Sequence, residues 1–515
     1  MSAFARQLQF ERLMWFAAFF VGLVVVSMIL TTGNYMVILL VGGLAWLALL
    51  PYHAKLALGL GVTNFGSALI LPFFPGRPAI WEFAALLAWS GLVVTFCLRE
   101  QAPDFGQQMR RNRVALLGLA GYVGVLLMLI GIQGTGLNVL GSEQTGGRVY
   151  YQQIVCAIFP ILFLAIPLTS AQLIRLYTWQ CFLSLTYIIS DLALATGVGG
   201  KLWVLLYFFG ISNDGLAFEG SALAGGVRRF QSLAIVGQAL IYLLLSRFSL
   251  SRFFTRSAFW LLPLSMGLLV LGSAAGHRGM LVLLAMTLLG CIYGQRFMTV
   301  PRVLISLVLL ALLLFATYTN ARQFPLSVQR TLSLLPGIEV DSLAAEDGQA
   351  TFNGRLVMRR VAWEIAPHYL WIGRGFGFNP NVVPPPEYDP YGFIREYIEL
   401  GHFYNGFVGL LVNAGIPGLV FCYVFLLAMS ARALKVLRHL RRHGCNDNLS
   451  RLTCVLASNW LAKVVFFTFL HGDAQFTLLE FGLPAGLLLG CSRHLLDQRE
   501  SAPSEAVQLE NAPAV

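Results

Sequence analysis

The sequence predicts an all-α polytopic membrane protein, and three observations carry that expectation. Hydrophobic residues make up 57% of the 515-residue chain and charged ones only 11%; a soluble domain carries roughly twice that charged share. Apolar runs of about 17 to 25 residues recur from end to end, each long enough to cross a hydrocarbon core. Lysines and arginines gather between the runs in a pattern that orients a chain in a bilayer. The net charge of +11 is accounted for mainly by those loops, so it does not call for a nucleic acid partner.

Hydropathy places about fourteen spans, near 14–31, 35–50, 56–74, 79–98, 114–132, 151–168, 171–195, 231–247, 257–273, 279–295, 302–318, 404–430, 452–470 and 475–492. The run from Trp15 to Ile29 follows Arg6 and Arg12 but is too long for a signal-peptide core. Pro51, Pro160, Pro167 and Pro263 sit where they would kink a span rather than abolish it. Lys201–Ile211 is apolar but too short to span, which fits a re-entrant or interfacial segment. The chain divides into helices over 1–318, a polar loop over 319–403, further helices over 404–492 and a tail over 493–515. The tail, rich in Ala, Pro, Ser and Glu, is expected to be unstructured.

Charge orients the bundle. Arg99, Arg110, Arg111 and Arg113 form one cluster, Arg247, Arg252 and Arg256 a second, and Arg432, Lys435, Arg438, Arg441, Arg442 and Arg451 a third. Alternating the spans brings all three to one side, the cytoplasmic one, with both termini. Four segments are left outside: 133–150, 196–230, the turn Gly276–Arg278 and the long loop. The eight cysteines fall mostly within apolar runs and none lies in the long loop, so free thiols are expected rather than a disulfide framework.

The outer face carries the chemistry. The loop holds Arg322, Arg330, Arg355, Arg359, Arg360, Arg374 and Arg395, the run Pro384–Pro386, and His402 where the chain re-enters the bilayer. Arg228-Arg229 precede the eighth span, and Gly276-His277-Arg278-Gly279 opens the tenth. One arginine near a helix end is ordinarily an anchor, since snorkelling relieves much of the roughly 2.5–3.5 kcal/mol it costs at a span centre. Several on the face where positive charge is normally depleted point instead to an anionic ligand. Arginine grips phosphate oxygens in a bidentate manner, and histidine is the side chain that titrates nearest neutrality. Together they suit transfer from a phosphate-activated donor.

Within the loop, Leu356, Val357, Val361, Ala362, Trp363 and Ile365 supply one apolar face of a helix, interleaved with Arg355, Arg359 and Arg360. Such a helix lies on the membrane surface or acts as a lid over the site. The turn Trp371-Ile372-Gly373-Arg374-Gly375-Phe376-Gly377 follows, its glycines permitting close backbone approach. The outer loops hold no His-x-x-x-His or Asp-x-Asp pattern, so no metal and no cofactor is expected. Asp214 and Glu219 are candidate charge partners for the arginines. Lys463 and Glu480, inside adjacent late spans, form a structural bridge or mark an ion pathway.

The order of these features resembles the O-antigen ligase and polymerase superfamily of bacterial membrane proteins. Arg228-Arg229-Phe230 and Gly276-His277-Arg278-Gly279 stand for its first two motifs. The loop pattern is Gly354-Arg355-Leu356, Trp363, Pro367 and Gly373-Arg374-Gly375-Phe376-Gly377. The last motif is His402-Phe403-Tyr404-Asn405, Leu410 and Gly415-Ile416-Pro417-Gly418. Two departures stand out: Gly237-Gln238 replaces a Pro-Asn, and Tyr404-Asn405 occupies the register of the family's His-Asn. Either His402 or Tyr404 therefore takes the place of the family histidine.

The resemblance implies a glycosyltransferase of the GT-C-like helical type in the bacterial inner membrane, inverting and independent of metal, with its active site on the periplasmic face. Its donor would be a glycan on undecaprenyl diphosphate, and its acceptor another lipid-linked glycan or the lipid A core. It implies His402 as base, Arg278 and Arg228 or Arg229 as clamps on the leaving diphosphate, and Tyr404 as a group that orients the acceptor. Arg355 and Arg374 join the diphosphate set, Glu396 and Glu399 are reserve bases, and membrane lipid and a chain-length regulator are further partners. The broad loop favours polymerisation of repeat units over ligation. A flippase for the same lipid-linked glycan is the rival of another class, although no internal repeat relates the two halves.

Overall fold

The computed structural model describes residues 35–49, 52–72, 77–135, 146–195, 201–210, 231–255, 260–297, 300–333, 336–377 and 393–496. They are helical, and two isolated bridges, Leu69 to Phe209 and Ile70 to Ala79, are the only β pairing among them. Twelve helices matter for the site. Across the first membrane half run α1 (Ile80–Cys97), α2 (Arg113–Gln133) and α3 (Gly147–Cys156, continued by Ile158–Ala165). Then come α4 (Leu261–Ala274), α5 (Arg278–Gly294) and α6 (Val300–Asn320). The long polar loop contains α7 (Leu326–Leu332), α8 (Ser342–Ile365) and α9 (Phe393–Leu400). The chain returns through α10 (Gly406–His443), α11 (Asn448–Val465) and α12 (Thr477–Leu496).

Six helical stretches among the described residues are long and apolar enough to cross a membrane: 80–97, 113–133, 147–165, 406–443, 448–470 and 474–496. The protein is thus a multi-pass helical membrane protein, while the expected count of about fourteen is not reproduced as unbroken helices. The run 171–195 forms two helices, Ser170–Leu183 and Thr186–Ala195, and 56–74 is helical only as His53–Asn64. In α3 the break at Ala157 has a covalent cause: Pro160 cannot donate to the Cys156 carbonyl. The first expected span, Arg228-Arg229, Asp214, Glu219, Pro384–Pro386 and residues 497–515 of the tail lie outside the described residues, whereas 493–496, expected to be unstructured, complete the last helix, Thr477–Leu496.

Glycines bring the helices of the core together. Gly482, Gly486 and Gly490 lay one edge of α12 against Cys156, Phe159 and Phe163 of α3. Gly118 and Gly121 seat α2 on Phe421 and Phe425 of α10, and Gly290 and Gly294 seat α5 on Ser458 and Cys454 of α11. In hydrocarbon, dispersion between closely approaching backbones replaces the hydrophobic effect as the packing force. The longest element, α10, runs 38 residues with a kink at Gly415, and its 28 residues beyond the kink extend about 42 Å. It therefore passes beyond the expected limit at residue 430 and carries Arg432 to Arg442 out of the hydrocarbon on its own helix. Arg432 is bonded there to Ser492 (2.7 Å) and Asn112 (2.8 Å).

The loop helix is longer than its expected apolar stretch, and its faces are assigned differently. Asp341 caps it by accepting from Leu343 N at 2.9 Å. Met358, Val361 and Ala362 are buried against Phe403, Val408, Leu411 and Val412. Leu356 and Trp363, expected on that same face, are exposed. At about 100° per residue Met358 takes the place the sequence pattern gave to Leu356.

Candidate functional site

A break in α10 builds the site's frame. Gly415 sits at φ +68° inside the helix, a conformation open to glycine and costly for other residues, and Pro417 has no N–H to offer Asn413. Ile416 N donates instead to Leu370 O at 2.7 Å. The carbonyls of Val412 and Asn413 are thereby left without helical partners, and the glycine turn supplies them: Arg374 N donates to Val412 O and Gly375 N to Asn413 O, both at 2.9 Å. On the turn's other side the Tyr150 hydroxyl accepts from Phe376 N at 3.0 Å, and Gly146 N donates to Phe376 O at 2.8 Å.

Arg374 is consumed by this frame. It is 5% exposed and donates to the carbonyls of Ile398 (2.7 Å), Glu399 (2.6 Å) and Gly377 (2.9 Å). Burial pushes its guanidinium down to about 10. Its work is to fix residues 398–400, directly ahead of the histidine. Asn413 adds a bond to Gly401 O at 3.0 Å, and Gln475 one to Leu400 O.

His402 enters from this clamped turn, with its N–H donating to Tyr397 O at 2.8 Å. Its Nδ1 is hydrogen-bonded to Oδ2 of Asp473, while Oδ1 of that carboxylate accepts from Gln475 N at 3.3 Å. Histidine and aspartate are 6% and 8% exposed. An ionised carboxylate can only accept, so it selects the tautomer protonated at Nδ1 and leaves the lone pair on Nε2. The ring is held between Phe476 (6.0 Å) and Tyr404 (6.4 Å), with Tyr397 edge-on at 6.0 Å.

Beyond Tyr404 lies positive charge. Tyr404 has φ +48°, uncommon for a side chain of that size and the kind of strain that gathers at functional sites. Its ring stacks on His471 at 5.2 Å and lies under the Arg355 guanidinium at 5.4 Å. Arg359 reaches Tyr404 O at 3.4 Å and the carbonyl of Leu470. Burial, and after it the fields of Arg355, His277 and Arg359, push His471 down to about 3. Its Nδ1 is buried with no hydrogen-bond partner.

Arg278 is the first residue of α5, next to His277. It donates to Arg330 O and to Ser333 Oγ, each at 3.1 Å. Arg330 in turn is paired with Asp347 and bonded to Thr351 at 2.9 Å and to the carbonyl of Gly276, so the turn is tied to α8. A cavity of about 300 Å³ opens beside Arg278, lined by Ser333, Ala345, Glu346 and Gln349. The guanidinium packs at Gly348, which places it roughly 10 Å along α8 from Arg355.

Residues 258–423 match the family model described as O-antigen ligase. The similarity covers about a third of the chain. No curated protein matches it. The matched stretch contains His277, Arg278, Arg355, Arg359, Arg374, His402 and Tyr404, and it ends before Asp473.

Within the matched stretch His402, Tyr404 and Arg355 come together, while the Arg278 guanidinium lies farther along α8, against Ser333 and Gly348. Glu399 is paired with Arg395 at 2.8 Å, and Glu396 is exposed. Lys463 and Glu480 stand on the adjacent helices α11 and α12, where each feels the other's charge. Among the described residues no group of three or more His, Cys, Asp or Glu side chains is arranged to hold a metal ion.

Sequence reasoning passed over Asp473 and His471. The signal was available: His471-Gly472-Asp473 fills the gap between the spans at 452–470 and 475–492, and span alternation puts that gap outside. Two ionisable groups in a turn of a few residues, level with His402, were the mark to notice.

Proposed function

We propose that this protein transfers a glycan from a polyprenyl diphosphate to a sugar hydroxyl at the outer face of the bacterial inner membrane. The observation that carries the proposal is the His402–Asp473 pair beside a cluster of cations. His402 Nε2 accepts the proton of the acceptor hydroxyl as its oxygen attacks the anomeric carbon. The bond from that carbon to the diphosphate oxygen breaks, its electron pair leaves with the diphosphate, and the anomeric centre inverts. Asp473 stabilises the imidazolium as it forms. A positioned base of this kind contributes about 10²–10⁴-fold in rate.

The diphosphate gains charge as it departs, and Arg355, Arg359 and Arg278 are the groups positioned to stabilise it. Arg228 and Arg229 remain candidates for the same role. Tyr404, between base and cations, is suited to orienting the acceptor. Arg374 acts by holding the 398–402 turn. Polymerisation of lipid-linked repeat units is the preferred form of the reaction; ligation to the lipid A core is the second, favoured by the description of the matching family.

The test is glycan profiling of cells lacking the protein, complemented at matched levels with wild type, His402→Ala, Asp473→Asn or Arg355→Ala. Single lipid-linked repeat units that accumulate without polymer are the expected result. Finished but unattached polymer would identify the ligase. Normal glycan from all three variants would overturn the assignment and return the flippase to first place.

A further inference from the structure

The outer edge of α8 is apolar. Phe352, Leu356 and Trp363 are all exposed, and on a helical projection they fall within about 40° of one another. Arg355 and Arg359 flank that stripe on the side facing Tyr404 and His471. Asn353, Arg360 and Glu364 flank it on the other side, where Arg360 and Glu364 pair at 3.1 Å. The face opposite the stripe is the buried one, through Met358 and Val361.

The neighbours of the stripe fix its depth. Trp363 lies 6.3 Å from Phe407, the second residue of α10. Arg359 donates to the carbonyl of Leu470, where Phe469 and Leu470 are exposed at the outer end of the 448–470 span. The stripe thus continues the apolar surface of two spanning helices past their ends. An apolar band bordered by arginines is the pattern of a helix lying in the interface, its cations at the level of lipid phosphates.

We infer that α8 is sunk by its Phe352–Leu356–Trp363 stripe into the acyl region of the outer leaflet, which holds Arg355 and Arg359 at headgroup depth. The partner is the lipid surface itself. The inference rests on the membrane orientation proposed above. It explains how a site outside the hydrocarbon meets a diphosphate whose carrier chain stays within it.

Spin labels report the depth directly. In full-length protein carrying Cys97→Ser, labels are placed by Phe352→Cys, Leu356→Cys, Trp363→Cys, Asn353→Cys and Val465→Cys, one at a time. The protein is reconstituted in phosphatidylethanolamine–phosphatidylglycerol vesicles, and collisions with oxygen and with a water-soluble nickel chelate are compared. Positions 352, 356 and 363 are expected to be oxygen-rich and shielded from nickel, as Val465 within its span is, with 353 the reverse. Sites 352, 356 and 363 that behave like 353, while 465 still reads lipid, would overturn the inference alone. A nickel-accessible 465 would overturn the membrane orientation and the inference with it.

Turnover gives an independent measure. The double variant F352E/L356E is expected to raise the apparent KM for a long-chain polyprenyl-diphosphate donor in vesicles by about tenfold or more. Its kcat/KM for a water-soluble, short-isoprenoid donor is expected to stay at the wild-type value. Equal losses on both donors, or on neither, would overturn the inference.

Discussion

In the glycine turn 373–377 the arginine points inward, and three backbone carbonyls accept from its two terminal nitrogens. In α8 Arg355 lies over the Tyr404 ring, and Arg359 reaches the carbonyls of Tyr404 and Leu470 at the edge of the site. Both segments belong to one loop, and their arginines look alike in sequence. The kink at Gly415 and Pro417 draws the turn into the core, and burial obliges Arg374 to satisfy every carbonyl within reach. α8 keeps its own backbone bonds, so Arg355 and Arg359 stay half-buried at the edge of the site instead of being drawn into the core.

The contrast can be tested at four depths. The largest effect is expected from the base: His402→Ala lowers turnover by about 10²–10⁴-fold. Asp473→Asn follows closely, about 10²-fold or more, because it no longer selects the productive tautomer; transfer assays at matched protein levels measure both. A wild-type rate in Asp473→Asn would remove the pair from the mechanism.

The two arginines should then separate by readout. Arg355→Ala is expected to cost about 10²-fold in kcat with the thermal midpoint in detergent unchanged. Arg374→Ala is expected to lower that midpoint, since each buried acceptor left without its donor costs about 1–3 kcal/mol. Exchanged phenotypes would break the comparison. Gly415→Ala acts on the same frame more mildly, by about 1–2 kcal/mol from the left-handed conformation, with further loss if the new Cβ, 3.0 Å from Gly373 N and Leu370 O, cannot be accommodated.

The smallest effect concerns His471. With its folded pKa pushed down to about 3, against about 6.5 unfolded, the unfolded chain binds the extra proton between those values. Stability therefore falls as pH drops through that window, and this contribution is absent above it. His471→Gln is expected to reduce the loss of thermal midpoint between pH 7 and pH 5. An identical pH dependence in wild type and variant would show that the imidazole is not held neutral.

Part of the candidate site was legible in the sequence. His402, Arg278, Arg355 and Tyr404 were named from their order along the outer face, and the structure brings three of them together. Arg374 was named for the wrong surroundings: nothing in its local sequence says that Val412 and Asn413 lose their helical partners some forty residues later. Asp473 was missed for the same reason, since the pairing that gives it meaning spans 71 positions.

The sequence by itself determined that the chain is a multi-pass helical protein, which segments are apolar, and where the long basic loop lies. These follow from composition and periodicity, because each residue's transfer energy and each helix's repeat are local properties. Only the tertiary structure decided which helices break, which arginine is buried, and which carboxylate meets His402. Those outcomes depend on backbone groups freed in one element being satisfied by another distant in sequence, and no local pattern records that exchange.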